Sequence, residues 1–187
     1  MTLLEMKKKV LALIEETSQT ESELTDDPDI KEKINDVINQ VQFELARIKK
    51  IPARGKRKIT EESLELDLDT LEDFYQLERI RFENEEGEDS SFEIFGDIAE
   101  FTELGTATIY YYKYPKSITA DTEDDYIFEL SGDVLEIMPY GVAADILKSD
   151  VSNGYGQIYN QRYEQMLQRL DPRYSTGFIY IDQGVMI

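Results

Sequence analysis

The spacing of apolar residues changes twice along this chain, and that change constrains the fold more than any other feature. From residue 28 to residue 48 apolar side chains recur every three to four positions, which is typical of an amphipathic helix. Between residues 59 and 130 they alternate with polar residues in short runs, which is typical of strands buried on one face. Helical spacing returns after Ser131. The sequence therefore predicts two helices, a β insertion and two further helices.

Local signals place the ends of these helices. Asp27-Pro28 is a good helix start, because a capping carboxylate precedes a proline at the first helical position. Pro139 is expected near the start of the third helix, where proline is tolerated. The helices are predicted at residues 2–16, from 28 to before Pro52, after Ser131, and through Tyr159 to before Pro172.

Short alternating segments separated by Gly, Asp and Ser turns fill the middle of the chain. They read SLELDLD, FYQLERIRFEN, FEIF, DIAEF and TATIYYYKYP, and YIFEL at 126–130 is a candidate for one more strand. Close spacing of this kind is typical of an antiparallel sheet. The predicted fold class is α+β: a four-helix, mainly antiparallel helical bundle with an inserted small antiparallel β-sheet and an extended C-terminal tail. Its parts are 1–58, a helical pair with a basic loop; 59–131, the β-rich insertion; 132–172, the second helical pair; and 173–187, the tail.

The composition removes most routes to catalysis. The chain of 187 residues contains no His and no Cys, which excludes Ser-His-Asp and Cys-His nucleophile systems, disulfides and zinc sites built from those ligands. Asp67, Asp69 and Asp73 lie close in sequence, but a Ca²⁺ loop of the EF-hand type needs Gly where Glu72 stands. Asp and Glu are so abundant that no catalytic carboxylate pair stands out. The sequence predicts no enzyme, no cofactor and no metal.

The charge of the chain is very unevenly distributed. Its net charge is −20, from 20 basic and 40 acidic side chains, which argues against non-specific binding to nucleic acid or anionic membranes. The ten residues KKIPARGKRK at 49–58, here called the basic segment, carry +6. One interpretation is a solvated loop with favourable Lys charges at a helix C-terminus. The other is a contact with an acidic partner surface or a nucleic-acid backbone, made by Lys49, Lys50, Arg54, Lys56, Arg57 and Lys58.

The run YYYKY at 110–114 has two interpretations as well. It suits a stacking platform for bases or sugars. Alternation in a strand, however, places Tyr110, Tyr112 and Tyr114 on one face and Tyr111 and Lys113 on the other. At least one of these faces is therefore expected to be ordinary sheet packing.

The chain ends in STGFIYIDQGVMI, which is apolar, aromatic and prone to β structure. One interpretation is a strand that folds back onto the protein's own sheet. The other is a strand or short linear element that joins another chain's edge or groove, with Gly177 and Gly184 as flexible joints. The large side chains of this segment are Phe178, Ile179, Tyr180, Ile181, Val185 and Ile187.

The first sixteen residues interleave charges with apolar side chains, and no apolar run approaches ~18 residues. The sequence therefore predicts neither a signal peptide nor a membrane span. We expect the protein to be made and assembled in a cytoplasm.

Three stretches of the second half resemble the neck adaptors of long-tailed bacteriophages, the head–tail connector or head-completion family that docks beneath the portal. GTATIYYYKYPKSIT resembles the family's strand that ends in Tyr-x-x-Pro. LEIMPYGVAADILKSD resembles its third helix, which begins around a proline, and YNQRYEQMLQRL resembles its last helix. The likeness covers residues 92–187 and reaches the two N-terminal helices in pattern only. The β insertion is larger than in the minimal all-helical members.

The resemblance implies a structural protein that forms a ring, usually of twelve copies, beneath the portal protein. Such a ring extends the DNA channel, lets double-stranded DNA pass without specific binding, and offers a platform to the stopper or tail protein. A strongly negative subunit agrees with a channel that repels phosphate. The implied location is the virion neck, after assembly in the host cytoplasm. The implied portal-binding residues lie in the tail: Arg173, Tyr174, Phe178, Ile179, Tyr180, Ile181, Val185 and Ile187.

Two other classes of protein remain as alternatives. One is a soluble binding module, for carbohydrate or peptide, that uses the Tyr-rich sheet. The other is an enzyme that acts through carboxylates, and it requires a deep pocket in which buried acidic groups converge.

Overall fold

In the part of the chain that the structure describes, two helices precede the strands and two follow them. The computed structural model describes residues 1–15, 24–148 and 154–170. The helices are α1 (Leu3–Leu13), α2 (Pro28–Ile48), α3 (Gly132–Leu147) and α4 (Tyr155–Arg169). The strands are β1 (Ile51–Ile59), β2 (Glu65–Asp67), β3 (Phe74–Asn84), β4 (Phe92–Phe95), β5 (Ile98–Phe101) and β6 (Gly105–Lys113), and a 3₁₀ turn lies at Leu68–Thr70.

Side-chain caps fix where the first two helices begin. The Asp27 carboxylate accepts a hydrogen bond from the Asp29 N–H at 2.8 Å, and Pro28 occupies the first turn, so the predicted start of α2 is confirmed. Thr2 and Glu5 form a capping box at α1. The Thr2 hydroxyl accepts from the Glu5 N–H at 3.2 Å, and the Glu5 carboxylate accepts from the Thr2 N–H at 2.9 Å.

Helix α3 is the centre of the helical part. Ten of its sixteen residues are buried, so a narrow stripe that includes Asp133, Glu136 and Tyr140 remains accessible, in place of the wide polar face of an amphipathic surface helix. The other three helices each pack against it. The core that results includes Leu3, Ile38, Leu45, Val134, Met138 and Val142.

The prediction of a mainly antiparallel four-helix bundle is wrong. The chain is an α+β protein in which two three-stranded antiparallel sheets accompany the four helices. A bundle needs one apolar stripe on every helix, directed at a shared axis. Here the buried residues of α3 extend around most of the helix, and the only fully buried residues of α4 are Gly156 and Tyr163. Helical periodicity identified the elements, but it did not reveal that three helices would surround the fourth.

The six strands form a small two-layer sandwich. The first sheet has the order β1–β6–β3 and the second has the order β2–β5–β4. Their inner faces share a hydrophobic core separate from that of the helices. In this second core the rings of Phe82 and Phe101 lie 4.7 Å apart. The insertion therefore consists of two packed sheets, and the prediction of a single inserted sheet is wrong.

Strand β1 contains residues 51–58 of the basic segment and replaces the predicted loop. It pairs antiparallel with β6 along its length, from Ile51 opposite Lys113 to Ile59 opposite Gly105. Lys, Arg, Gly and Pro are weak strand formers, so its sequence resembled a loop. Pairing with β6 overrides that preference, and Pro52 is tolerated because β1 lies at the edge of its sheet.

Three more element boundaries differ from the prediction. Helix α1 ends at Leu13 instead of residue 16, and Glu15 adopts a left-handed backbone with φ 61°. Residues 126–130, all of which the structure describes, pair only through an isolated bridge between Ile127 and Thr2. The alternating run SLELDLD contributes only the three residues of β2.

Pro139 lies in the middle of α3, not near its start, because the helix begins at Gly132. Proline removes the N–H that would bond to the carbonyl four residues earlier. The helix nevertheless continues, since the flanking residues Met138 and Val142 are completely buried in the core. Tertiary packing outweighs the local preference here.

Amide side chains of α2, the half-buried Asn39 and the buried Gln42, hold the segment that leads from β6 towards α3. The Asn39 Nδ2 donates to the carbonyl of Ile118 at 2.6 Å, and the Asn39 Oδ1 accepts from the Ile118 N–H at 2.8 Å. The completely buried Gln42 donates from Nε2 to the carbonyl of Lys116 at 3.0 Å. These bonds satisfy backbone groups beyond the end of β6 and attach the sandwich to the helical part.

The closest approach of α3 to α4 gives a test of this packing. A Cβ on Gly141 would lie 2.8 Å from Cε2 of the buried Tyr163. Gly141→Ala is therefore expected to lower the free energy of unfolding by about 1–3 kcal/mol through overpacking. Gly132→Ala is the matched control, because a Cβ there meets no described atom within 4 Å. Denaturant unfolding followed by circular dichroism measures both variants, and equal losses would contradict the close contact.

Candidate interaction surfaces

The predicted portal-binding tail lies outside the described residues. Its role therefore stays a prediction for Arg173, Tyr174, Phe178, Ile179, Tyr180, Ile181, Val185 and Ile187.

Strand β6 divides the predicted tyrosine run between two faces. Tyr111 is buried in the sandwich core, and its hydroxyl donates to the carbonyl of Glu72 at 3.2 Å. Tyr110 and Tyr112 point to the outer face of the first sheet and are half-buried. The predicted alternation is confirmed, since one face is core and the other is accessible. Burial raises the pKa of the Tyr112 phenol, and nearby Glu78 raises it further, so this hydroxyl remains neutral at physiological pH.

The outer face of the first sheet, here called the basic face, carries cations over aromatic rings. Register places Arg54, Tyr110 and Arg79 in one row across the three strands. The guanidinium of Arg79 lies 4.3 Å from the centroid of the Tyr110 ring, and that of Arg54 lies 5.5 Å from it. At exposed sites such contacts are worth about 0.5–1 kcal/mol each. The basic segment is thereby joined to cations of β3 that lie far from it in sequence.

Lys50 extends this arrangement at the end of the sheet nearest the helices. Its ammonium lies 4.9 Å from the centroid of Tyr112 and 5.9 Å from that of Tyr75. It also donates a hydrogen bond to the side chain of Gln76. The Tyr75 ring packs in turn on Tyr114, with centroids 4.6 Å apart. The tyrosines are thus engaged by cations and by one another, which differs from an open stacking platform.

The far end of the basic face carries positive charge that no described carboxylate neutralises. Arg54, Lys56 and Lys58 are exposed and form no ion pair with any described carboxylate. Arg81 differs, because its guanidinium pairs with Glu83 at 3.0 Å and with Asp89 at 3.2 Å. In a chain with twice as many acidic as basic groups, cations that pair with no described carboxylate are candidates for a contact outside the subunit.

Arg57 lies on the opposite side of β1, since its register partner Ala107 belongs to the inner face of β6. Its side chain is nevertheless exposed, because β1 is at the sheet edge. Arg57 therefore adds a positive charge at the edge of the first sheet but does not face Tyr110.

Lys49 does not belong to the basic face, although it is the first residue of the basic segment. Its side chain is 6% exposed, and its ammonium forms an ion pair with Asp133 at the start of α3. Burial is the largest single influence and opposes ionisation of Asp133, but the hydrogen bond and the charge of Lys49, together with the Ser131 hydroxyl and the Val134 N–H, outweigh it and hold the pKa of that carboxyl below its ordinary value. This pair is structural, and it fastens the end of α2 to α3.

The outer face of the second sheet, here called the acidic face, was missed in the sequence. Register sets Glu65, Glu100 and Glu93 directly opposite one another across its three strands. All three are exposed and pair with no described cation. Like charges directly opposite in a sheet destabilise it by a few tenths of a kcal/mol to about 1 kcal/mol. The repulsion among the three carboxylates therefore destabilises the folded, isolated subunit.

Apolar side chains lie beside this row of glutamates. The next row contains Asp67, Ile98 and Phe95. Phe95 is 82% exposed and Ile98 is 38% exposed, at a two-residue turn where Gly96 adopts φ 62°. Exposed aromatic and aliphatic residues beside charged ones are typical of contact surfaces. The alternation in FEIF and DIAEF was visible in the sequence, but the register that aligns the two segments was not.

A groove in the helical part was also missed. It has a volume of about 570 Å³ and lies between α1, α3 and α4. Its lining includes Lys9, Glu136 and Arg162, and the Arg162 guanidinium lies 4.6 Å from the centroid of Tyr140. Its lining residues come from three separate parts of the chain, so no local sequence motif predicted the groove.

The described residues also bear on metal and membrane sites. Among them, no group of three or more acidic side chains is placed to hold a metal ion. The Asp67 carboxylate, weighed above as a calcium ligand, instead accepts a hydrogen bond from the Asp69 N–H at 3.0 Å and caps the 3₁₀ turn. No helix among these residues has an apolar stretch long enough to span a bilayer.

Comparison with known proteins adds no family. No protein-family model matches the chain, and no curated protein does. The resemblance to phage neck proteins therefore depends on the three stretches quoted above, which fall mainly on β6, α3 and α4.

The ion pair of Lys49 and Asp133 predicts a specific pH dependence. The Asp133 pKa is lowered from 3.8 in the folded state, so the pair stabilises the fold above that value, and this stabilisation is lost as the pH falls through the folded-state pKa. Asp133→Asn is expected to lower the free energy of unfolding by about 1–2 kcal/mol at neutral pH. Thermal unfolding at a series of pH values measures the difference from the wild type, which should disappear in acid. The exposed Asp121→Asn is the control, and a difference that persists unchanged in acid would contradict the assignment.

Proposed function

We propose that this chain is a structural subunit of a phage neck, which forms a ring beneath the portal and offers a platform to the stopper or tail protein. The observation that carries the proposal is a set of three exposed cations on the basic face that no described carboxylate neutralises, in an otherwise strongly acidic subunit. Arg54, Lys56 and Lys58 have 40 acidic side chains available in their own chain, yet they pair with none of the described ones. Charges held apart in this way support an intermolecular role.

The net charge of the subunit supports a role in which DNA passes close to the protein but is not bound by it. A net charge of −20 per subunit, multiplied around a ring, repels the phosphate backbone and lets the duplex pass. Tight non-specific binding of DNA needs a large, positively charged protein surface. The basic face is therefore better suited to contact an acidic protein surface than to line the DNA channel.

The position of α4 supports the role that the resemblance implies for the tail. Helix α4 packs on α3 through Gly156 and Tyr163, while Ile158 on another face is 56% exposed. Residues 171–187 follow α4 directly in the sequence. Large aromatic and aliphatic side chains usually provide the energetic centre of an interface, and the tail is rich in them.

Truncation before Arg173 tests the proposal. We expect the chain of residues 1–172 to keep the thermal midpoint of the full chain but to lose binding to the portal protein of the same phage. Point variants sharpen the test: Ile179→Asp is expected to weaken portal binding at least about tenfold, as loss of an interface anchor does, whereas Gln183→Ala is a control in the same segment. Pull-down with purified portal and calorimetry measure the two quantities.

The outcome also separates the two interpretations of the tail. A large fall in thermal midpoint on truncation would indicate that the tail folds back onto its own subunit. Unchanged portal binding by the truncated chain would contradict the proposed role of the tail, and no portal binding by the full chain would contradict the neck assignment.

The second candidate function is a soluble binding module, and the outward position of Tyr110 and Tyr112 favours it. Because Arg54, Arg79 and Lys50 cover these rings, the ligand that fits best is an acidic peptide or an acidic sugar. Titration with such ligands, followed by tyrosine fluorescence, tests this module. Saturable binding that is lost in Tyr110→Ala and retained in Tyr155→Ala would favour the module over the neck subunit.

A further inference from the structure

We infer that the two outer faces of the sandwich bind each other between neighbouring copies of this chain. The basic face of one subunit contacts the acidic face of the next, so the partner is a second copy. The inference deepens the proposed function, on which it depends only for closure into a ring. The contact between the two faces stands on the geometry of the sandwich.

The two faces lie on opposite sides of one core. The inner face of each sheet packs into the same cluster, through Phe82 of the first sheet and Phe101 of the second. Alternation along the strands then directs the intervening residues away from that core on both sides. Arg54 and Lys56 point out on one side, and Glu93 and Glu100 point out on the other. Opposite charges therefore occupy opposite surfaces of the same small module.

The composition of the two faces is complementary in more than charge. The basic face has a row with Lys56 beside a row centred on Tyr110. The acidic face has a row of three glutamates beside a row that contains the exposed Phe95 and Ile98. A charged row can thus oppose a charged row while aromatic and aliphatic side chains oppose the tyrosines. Electrostatic matching of this kind selects a partner and fixes its orientation.

The row of glutamates provides a second argument for an external partner. Glu65, Glu100 and Glu93 repel one another in the isolated subunit, and no described cation relieves them. Cations of another copy would relieve this repulsion. Removal of the central charge should therefore stabilise the single subunit and weaken its association, two effects that a purely structural role does not combine.

A contact between different surfaces is heterologous, and it propagates from copy to copy. Such contacts close into rings when the rotation per step is right. The three strands of the acidic face are about 4.8 Å apart, so the outer two are separated by only about 10 Å. A face this narrow can bury only a surface area well below the roughly 800 Å² per partner of a stable interface. The contact is expected to be weak alone, to need low salt or high concentration, and to gain strength on a template.

The test uses two charge-reversed forms of the full chain. The first carries Arg54→Glu and Lys56→Glu on the basic face, and the second carries Glu93→Lys and Glu100→Lys on the acidic face. Either form alone opposes like charges at every contact, so we expect each to lose self-association. In a mixture of equal amounts every contact between the two different forms opposes opposite charges, so we expect the mixture to recover the association of the wild type. Sedimentation velocity in about 0.01 M and about 0.15 M salt measures association and its screening.

Zero-length carbodiimide cross-linking identifies the contacting faces. A mixture of isotopically labelled and unlabelled wild type should give mixed-label links between Lys56 or Lys58 and Glu93 or Glu100, detected by mass spectrometry. A control form with Lys8→Glu and Lys9→Glu on α1 has the same net charge as the first form and should associate like the wild type. Glu100→Gln should raise the thermal midpoint while reducing these links.

Several outcomes would overturn the inference. Reversed forms that associate like the control, a mixture that fails to recover, or the absence of links between the two faces would each do so. Saturable binding of a single-stranded oligonucleotide that the first reversed form loses, with self-association unchanged, would assign the basic face to nucleic acid instead. Portal binding through the tail is measured separately, so loss of one activity with retention of the other distinguishes failure of this inference from failure of the neck proposal.

Discussion

The central strand β6 is the constraint on which the rest of this structure depends. It pairs with β1 on one side and with β3 on the other, and its alternate residues serve two surfaces. Ala107, Ile109 and Tyr111 enter the sandwich core, while Tyr110 and Tyr112 hold cations from both neighbours in place on the outer face. A shift of one residue in its register would exchange these two sets and would destroy core and surface together.

The helical part and the sandwich are two packed units with polar fastenings between them. Each has its own hydrophobic core. The fastenings include the ion pair of Lys113, at the end of β6, with Glu129, and the hydrogen bonds of the Asn39 amide of α2 to Ile118, in the segment that leaves β6. Polar contacts of this kind require defined distances and angles, whereas apolar contacts tolerate sliding. They therefore orient the sandwich on the helices, and with it any surface that the sandwich presents.

Sequence reasoning found the features that depend on neighbours along the chain. The start of α2 followed from Asp27-Pro28, and the two faces of β6 followed from alternation. It missed what depends on pairing across the fold. The basic segment became a strand because β6 pairs with it, and the glutamate row exists only because register aligns three separate strands. Lys49 was predicted as a surface cation, yet a carboxylate 84 residues away draws it into the interior.

The sandwich begins and ends at the same place. Ile51, at the start of β1, lies opposite Lys113, at the end of β6, so the chain leaves the helices and returns to them through adjacent points. Residues 51–113 can therefore be regarded as a cassette, which recombination could delete or exchange for another with only a short turn to rejoin α2. Selection on that cassette would change the outer surfaces of the subunit while the helical core kept its fold, and the two parts of the chain could evolve at different rates.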